Sequence, residues 1–252
     1  MVFDLRHDSN DHSWLWSLNP AEGAIVPRRD YIDAVRIRIG APLIAGRSEC
    51  ACCGKSLEPD CLHAMCCAPG AATVGHNRAR DAIFALASLA DGAAVTEVSG
   101  LIASRPALRP ADILTTAAIP GSLAALDIGV CSPDAEGSGD DACVAMRKGK
   151  CDKYAPFFDE LAADGFTHLP IVMSCYGRHH PDGLQALRHM ADVAARRHGY
   201  SSGLPFLRRT RALLGVQLWR RVASMARMCR AAPSFQEAVH LLAHSAPAVC
   251  NA

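Results

Sequence analysis

"DILTTAAIPGSLAALDIGVC" (112–131) reads as two apolar strand segments, "DILTTA" (112–117) and "ALDIGVC" (125–131), with "IPGS" between them. Proline followed by glycine is turn chemistry, so the two segments predict an antiparallel hairpin. The stretch also carries two aspartates, Asp112 and Asp127, among apolar neighbours. Burying a carboxylate costs several kcal/mol unless a cation or strong donor meets it. Whatever meets these two acids bears on function.

Working outward, "AAVTEVS" (93–99) and "THLPIVMSC" (167–175) predict a strand before the hairpin and one after it. "HNRARDAIFALASLADG" places Ala79, Ala82, Ile83, Leu86 and Ala90 on one helical face, with Asn77 as N-cap and Gly92 as stop. A helical stretch runs from about 142 to 163. The break "YGRHHPDG", where Arg178, His179 and His180 read as a polar loop, precedes further helices. "RRDYIDAVRIRIG" (28–40) spaces Ile32, Val35 and Ile39 helically. The order helix, three strands, helix, strand, helices predicts an α/β protein with a mixed β-sheet flanked by helices. The organisation expected is an N-terminal helical linker (1–47), a Cys-rich segment (48–76), a core (77–200) and a basic helical tail (201–252).

Of 252 residues, half are hydrophobic and a fifth charged, as in ordinary folded chains. No stretch supplies the roughly 20 apolar residues of a membrane span. The opening "MVFDLRHDSNDHSW" lacks the apolar centre of a secretory signal, so an intracellular location is expected. Net charge is only +1, but from Val193 onward there are nine arginines and a single acid, Glu237. The acidic run "SPDAEGSGDD" (132–141) reads as a solvated loop.

Six of the twelve cysteines lie between Cys50 and Cys67, a clustering that points to metal. Cys50 and Cys53 have Cys-x-x-Cys spacing, and His63 and Cys67 follow as His-x-x-x-Cys. Four such ligands make a closed tetrahedral zinc site, with Cys52, Cys61 and Cys66 as competing ligands. About one zinc per chain is expected, with residues 48–76 unfolding first on chelation.

For Asp112 and Asp127 a bound Mg²⁺ is the fitting cation, since hard cations take carboxylate oxygens. Glu97 in "VTEVS" offers a third carboxylate. "MRKGKCDKYAPFF" then brings Arg147, Lys148, Lys150 and Lys153. A lysine beside such a metal can stabilise charge developing on phosphorus. In the absence of a metal, removing either acid would be expected to stabilise the fold.

The series Cys-x-x-Cys, His-x-x-x-Cys, "HNRARD", "RPADIL", "LDIGV" and "KCDKY" resembles the restriction-like endonuclease domain of site-specific non-LTR retrotransposons, within the PD-(D/E)XK superfamily. The resemblance spans roughly residues 30–230. It implies an αβββαβ restriction-endonuclease-like core behind a CCHC zinc knuckle, and a Mg²⁺-dependent DNA endonuclease. It implies Asp112 and Asp127 as catalytic metal ligands, Lys150 as the catalytic lysine with Lys148 as runner-up, and Tyr154 nearby. The chain departs from the pattern in three places. Ala111 separates Pro110 from Asp112, Gly129 stands where the superfamily has its lysine, and Gly75 replaces an arginine before His76 and Asn77. Nuclear location, element RNA and a reverse-transcriptase domain in a longer chain are further implications. The alternative is a zinc-dependent nucleic-acid-binding module with an inactive nuclease centre.

In "LPFLRRTRALLGVQLWRRVASMARMCR", Leu207, Leu214, Leu218, Val222 and Met225 share a face, and Arg208, Arg209, Arg220, Arg227 and Arg230 fall opposite. An arginine face without acids predicts phosphate contact, hence DNA as partner. No second anchor signal accompanies it, so no membrane partner is expected.

Overall fold

The computed structural model describes residues 13–15, 24–46, 48–67, 69–135 and 138–230. Most of the first 23 residues and the end of the expected tail (231–252) lie outside them.

The hairpin is present. Strands β4 (Ala111–Ile119) and β5 (Ser122–Cys131) pair antiparallel with Ile119 opposite Ser122, joined by Pro120 and Gly121. Gly121 takes φ +73°, the left-handed conformation that glycine adopts without strain. β3 (Val95–Val98) adds antiparallel to β4, and β6 (Phe166–Ser174) adds parallel to β5, giving the order β3-β4-β5-β6. The sheet is mixed, as expected.

Helices cover both faces. On one, α3 (Pro69–Ala90), α6 (Pro181–Arg197) and α7 (Leu204–Arg230) bury Ile83, Leu86, Leu187, Met190 and Leu214 against Ile113, Leu126, Ile128 and Ile171. On the other, α4 (Ala142–Tyr154) and α5 (Phe158–Ala163) pack Tyr154 and Leu161 against Ala125. β5 is therefore covered on both sides, which is why its run is almost continuously apolar. The helical stretch expected over 142–163 is two helices, separated by a 3₁₀ turn at Ala155–Phe157 that contains Pro156.

A second core lies beside the sheet. α1 (Arg28–Arg38), the small hairpin β1 (Ser48–Glu49) with β2 (Ser56–Leu57) and the short α2 (Ala64–Cys67) enclose Ile37, Leu57, Cys61 and Met65 against Trp219, Val222 and Met225 of α7. Trp14 and Trp219 stack with centroids 4.9 Å apart.

Three readings of the sequence need correction. α3 begins at Pro69, so Asn77 lies inside the helix and is no N-cap. In α1 the inward residues are Ala34 and Ile37, while Ile32 and Ile39 are exposed. Ion pairs rotate this helix: Asp30 and Asp33 face α7, where Arg227 meets Asp30 at 2.5 Å and Arg230 meets Asp33 at 2.6 Å. α7 is also no peripheral tail. The expected stripe of Leu207, Leu214, Leu218, Val222 and Met225 is buried, and a second stripe of Val216, Trp219, Ala223 and Ala226 is buried with it. One helix thus completes both cores. Among the described residues no helix is long and apolar enough to cross a membrane.

Candidate functional site

The cysteine segment folds as a knuckle. Cys50 O accepts from the N–H groups of Cys53 (3.3 Å) and Gly54 (2.8 Å), and Gly54 sits at φ +72°. This tight turn aims Cys50 and Cys53 at one point, while α2 supplies Cys67 and the turn before it His63. The ligand atoms of Cys50, Cys53, His63 and Cys67 all lie within 4.8 Å of one another. Cys50 Sγ is 3.7 Å from Cys67 Sγ, and Cys53 Sγ is 3.1 Å from His63 Nε2. A tetrahedron with Zn–S bonds of about 2.3 Å has an S–S edge of about 3.8 Å, so the four can hold a metal ion such as zinc.

The structure also sorts the competing cysteines. Cys61 is buried in the second core and Cys66 lies outside the group. Cys52 belongs to a second trio with Cys50 and Cys229, which shares Cys50 and offers one ligand fewer. Burial opposes ionisation of Cys50, but the backbone N–H groups of Cys52 and Cys53 outweigh it and bring the thiol down to about 7. Burial and the neighbouring Cys53 and Cys50 push Cys67 up to about 12. One ligand is thus ready as thiolate, and another needs a cation to become one.

The two aspartates come together on the sheet. Ile113 pairs with Leu126, and continuing that antiparallel register by one residue sets Asp112 opposite Asp127. Like charges directly across a strand pair are destabilising, so the arrangement requires cations nearby. Lys150 Nζ, from α4, donates to Asp127 Oδ1 at 2.5 Å. His168 Nε2, from β6, lies 3.4 Å from Asp127 Oδ2. On Asp112 Oδ2 converge the backbone N–H of Ile128 at 2.7 Å and His76 Nε2 at 3.6 Å.

Gly129 explains how a helix lysine reaches the strand. A Cβ at this position would stand 2.7 Å from Lys150 Cε and 2.7 Å from Met146 Sδ. The empty side-chain position is filled by the Lys150 stem. Lys148, the runner-up, instead pairs with Asp152 at 2.5 Å on the exposed side of α4.

Two expected site residues are placed elsewhere. Tyr154 is buried and its hydroxyl donates to Arg109 O at 2.7 Å, with its ring 4.8 Å from that of His168. No hydrogen bond joins it to either aspartate among the described residues, so its part is packing. Glu97 has φ +56°, and its carboxylate is taken by Arg80 and by Arg109 at 3.4 Å. It does not cluster with Asp112 and Asp127 as a third ligand. His168 was missed, although its place on a strand next to β5 was the available signal. In the break after β6, His180 Nδ1 accepts from Asp182 N at the start of α6, and Arg178 pairs with the α4 cap Asp141. Both fit the polar-loop reading; His179 does not, because it pairs with Met173 in a β-bridge and its two ring nitrogens are buried without a hydrogen-bond partner among the described residues.

No family model matches the chain, and no curated protein or solved structure matches it.

Burial opposes ionisation of Asp112, but His76 and the Ile128 N–H overcome it and hold the carboxyl below its ordinary value. A depressed carboxylate contributes stability that is present above the unfolded value, near 3.9, and lost as pH falls through the lower folded one. Asp112→Asn should therefore flatten the acid limb of the stability–pH curve below about pH 4. Urea titrations from pH 2 to 7 would check this. Parallel wild-type and variant curves would contradict it.

Proposed function

We propose that the protein is a metal-dependent DNA endonuclease that nicks its target by phosphodiester hydrolysis. The observation that carries this reading is the facing pair Asp112 and Asp127, with Lys150 delivered to it through the gap at Gly129. The element order α3, β3, β4, β5, α4, α5, β6, with a mixed sheet flanked by helices, is compatible with the αβββαβ core that the sequence resemblance implies.

The donor set suits Mg²⁺: two carboxylates at one place, with hard oxygen ligands and no thiol among them. Asp112 and Asp127 would hold the ion, which when bound would supply an activated water and a Lewis acid. The chain's own groups do the rest. Asp112 is kept ionised by His76 and the Ile128 N–H. Lys150 Nζ is the ammonium placed to stabilise charge developing on the attacked phosphate. His168 and Tyr154 wall the site from behind and fix the Asp127 rotamer through Nε2.

A second reading is a zinc-dependent nucleic-acid-binding module with an inactive centre. The withdrawal of Glu97 to Arg80 and Arg109 favours it, since among the described residues Asp112 and Asp127 are then the two carboxylates that remain. A plasmid-nicking assay with and without Mg²⁺ separates the two. Lys150→Ala should slow cleavage by on the order of 10²–10³-fold. Gly129→Ala should do nearly as much and should also cost stability, because the new methyl pushes aside Met146 and the Lys150 stem and parts Lys150 from Asp127. Wild-type protein that binds DNA tightly but never cuts it would leave the binding-module reading in place. Gly129→Ala cutting at the wild-type rate would show that the position of Lys150 is irrelevant.

A further inference from the structure

We propose that the slot between the N-terminal turns of α3 and the C-terminal half of α7 is a phosphate site, seating one backbone phosphate of a bound nucleic-acid strand over Arg221. This rests on the reading of the protein as one that acts on DNA, and it deepens that reading by naming a binding locus separate from the carboxylates. The slot has a volume of about 250 Å³ and is lined by Arg78, Arg220, Arg221, Arg227 and Asp30. Four arginines against one aspartate leave it strongly positive.

The charges are unequal in what they already touch. Arg227 is neutralised by Asp30 at 2.5 Å, with Asp33 at 3.6 Å. Arg78, Arg220 and Arg221 have no ion pair among the described residues. Arg221 is 6% exposed, and neither its Nε nor its NH1 has a hydrogen-bond partner there; Arg220 Nε also has none. A guanidinium stays charged when buried, and an uncompensated one is costly. Natural interiors leave such groups unpaired rarely, and an absent anion is a sufficient reason.

The seat for Arg221 is built into the backbone. A Cβ at Gly75 would stand 2.1 Å from its Cδ and 2.4 Å from its Cγ, so only glycine lets this side chain lie against α3. Gly70, Ala71 and Val74 of the same helix complete the wall, and the positive end of the α3 dipole adds to the field. Planar guanidinium forks converging beside a helix N-terminus match a phosphate, which takes bidentate hydrogen bonds from arginine. The solvent-exposed Arg208 lies on the same helix, so a polyanion along α7 would find further positive charge.

The test is the binding of fluorescently labelled duplex DNA to the full, zinc-loaded chain without added Mg²⁺, from 50 to 200 mM salt. An inactive nuclease centre would leave that measurement untouched. Arg221→Met should weaken binding by about tenfold or more. It should also reduce the slope of log affinity against log salt by about 0.9, the loss of one phosphate contact. Replacing an unpaired buried charge with an apolar side chain should not lower the melting temperature. Arg78→Gln combined with Arg220→Gln, at half-buried positions, should weaken DNA binding similarly if Arg221→Met fails to fold. Arg188→Gln, on the exposed side of α6, should change neither affinity nor slope. Unchanged affinity and slope in the Arg78/Arg220 double variant would overturn the proposal. So would thermal protection by pyrophosphate alone from a chain that does not bind DNA.

Discussion

Asp127→Asn is expected to remove Mg²⁺-dependent nicking, with a loss on the order of 10³-fold or more. The carboxylate faces Asp112 across the β4–β5 pair, and among the described residues no third acid clusters with the two to replace it. The amide keeps the shape and removes the charge, so a loss of activity with retained DNA binding would locate the defect in the chemistry. The same substitution should destabilise the fold by about 1.5–3 kcal/mol, because Lys150 loses the charged partner that it now meets at 2.5 Å. This reverses what the sequence suggests. There the acid looks uncompensated and its removal looks stabilising; in the fold Lys150 and His168 already attend it. Asp127→Asn combined with Lys150→Met should recover much of the stability and none of the activity, since no half-buried ammonium is then left without its charged partner. Nicking by Asp127→Asn at the wild-type rate would disprove the carboxylate site. A melting temperature equal to that of wild type would disprove the pairing argument alone.

How far the fold was legible follows from what each residue pattern depends on. The hairpin was readable because its turn is local: Pro120 and Gly121 specify it whatever surrounds them. The inner face of α3 was readable because all of Ala79, Ala82, Ile83, Leu86 and Ala90 pack into one core. α1 misled because its inward face is set by arginines from nearly two hundred residues away. Asp33 is buried and Ile39 exposed because Arg230 lies opposite the first and no described residue covers the second. α7 misled for the complementary reason. Its arginines suggested one exposed, phosphate-contacting face without acids, but Arg221 is buried and the acids that answer Arg227 and Arg230 stand on α1. The departures at Gly129 and Gly75 were visible as gaps. What fills them, Lys150 in one case and Arg221 in the other, is a fact of tertiary packing.

The cysteine knuckle is expected to bind zinc, and removing that zinc should have the largest effect on stability. Structural zinc sites contribute about 10–16 kcal/mol of apparent binding energy, as much as a whole domain's net stability of about 5–15 kcal/mol. The sequence suggests that residues 48–76 would be lost first, but the packing redraws that unit. Residues 69–76 belong to α3, which is anchored in the sheet core. Cys50, Leu57, Cys61 and Met65 instead share a core with Ile37 of α1 and with Trp219, Val222 and Met225 of α7. Chelation should therefore loosen α1, the knuckle and the C-terminal half of α7 together, while the four-stranded sheet persists. The stacked Trp14 and Trp219 report this directly, and their emission should shift to the red as zinc leaves. Far-UV circular dichroism should lose helix and keep strand. Cys53→Ser and His63→Ala should each lower the zinc content of purified protein and reproduce the emission shift. Cys66→Ser, outside the ligand group, should do neither. Cys61→Ser should destabilise through the core while leaving zinc stoichiometry at about one per chain. Purified protein containing no zinc, or tryptophan emission indifferent to its removal, would show that the four ligands gather for packing alone. The same loss would reach the phosphate slot, because Arg220, Arg221 and Arg227 sit on the half of α7 that the knuckle holds in place. Nucleic-acid affinity should then fall with zinc occupancy even though no zinc ligand lines the slot.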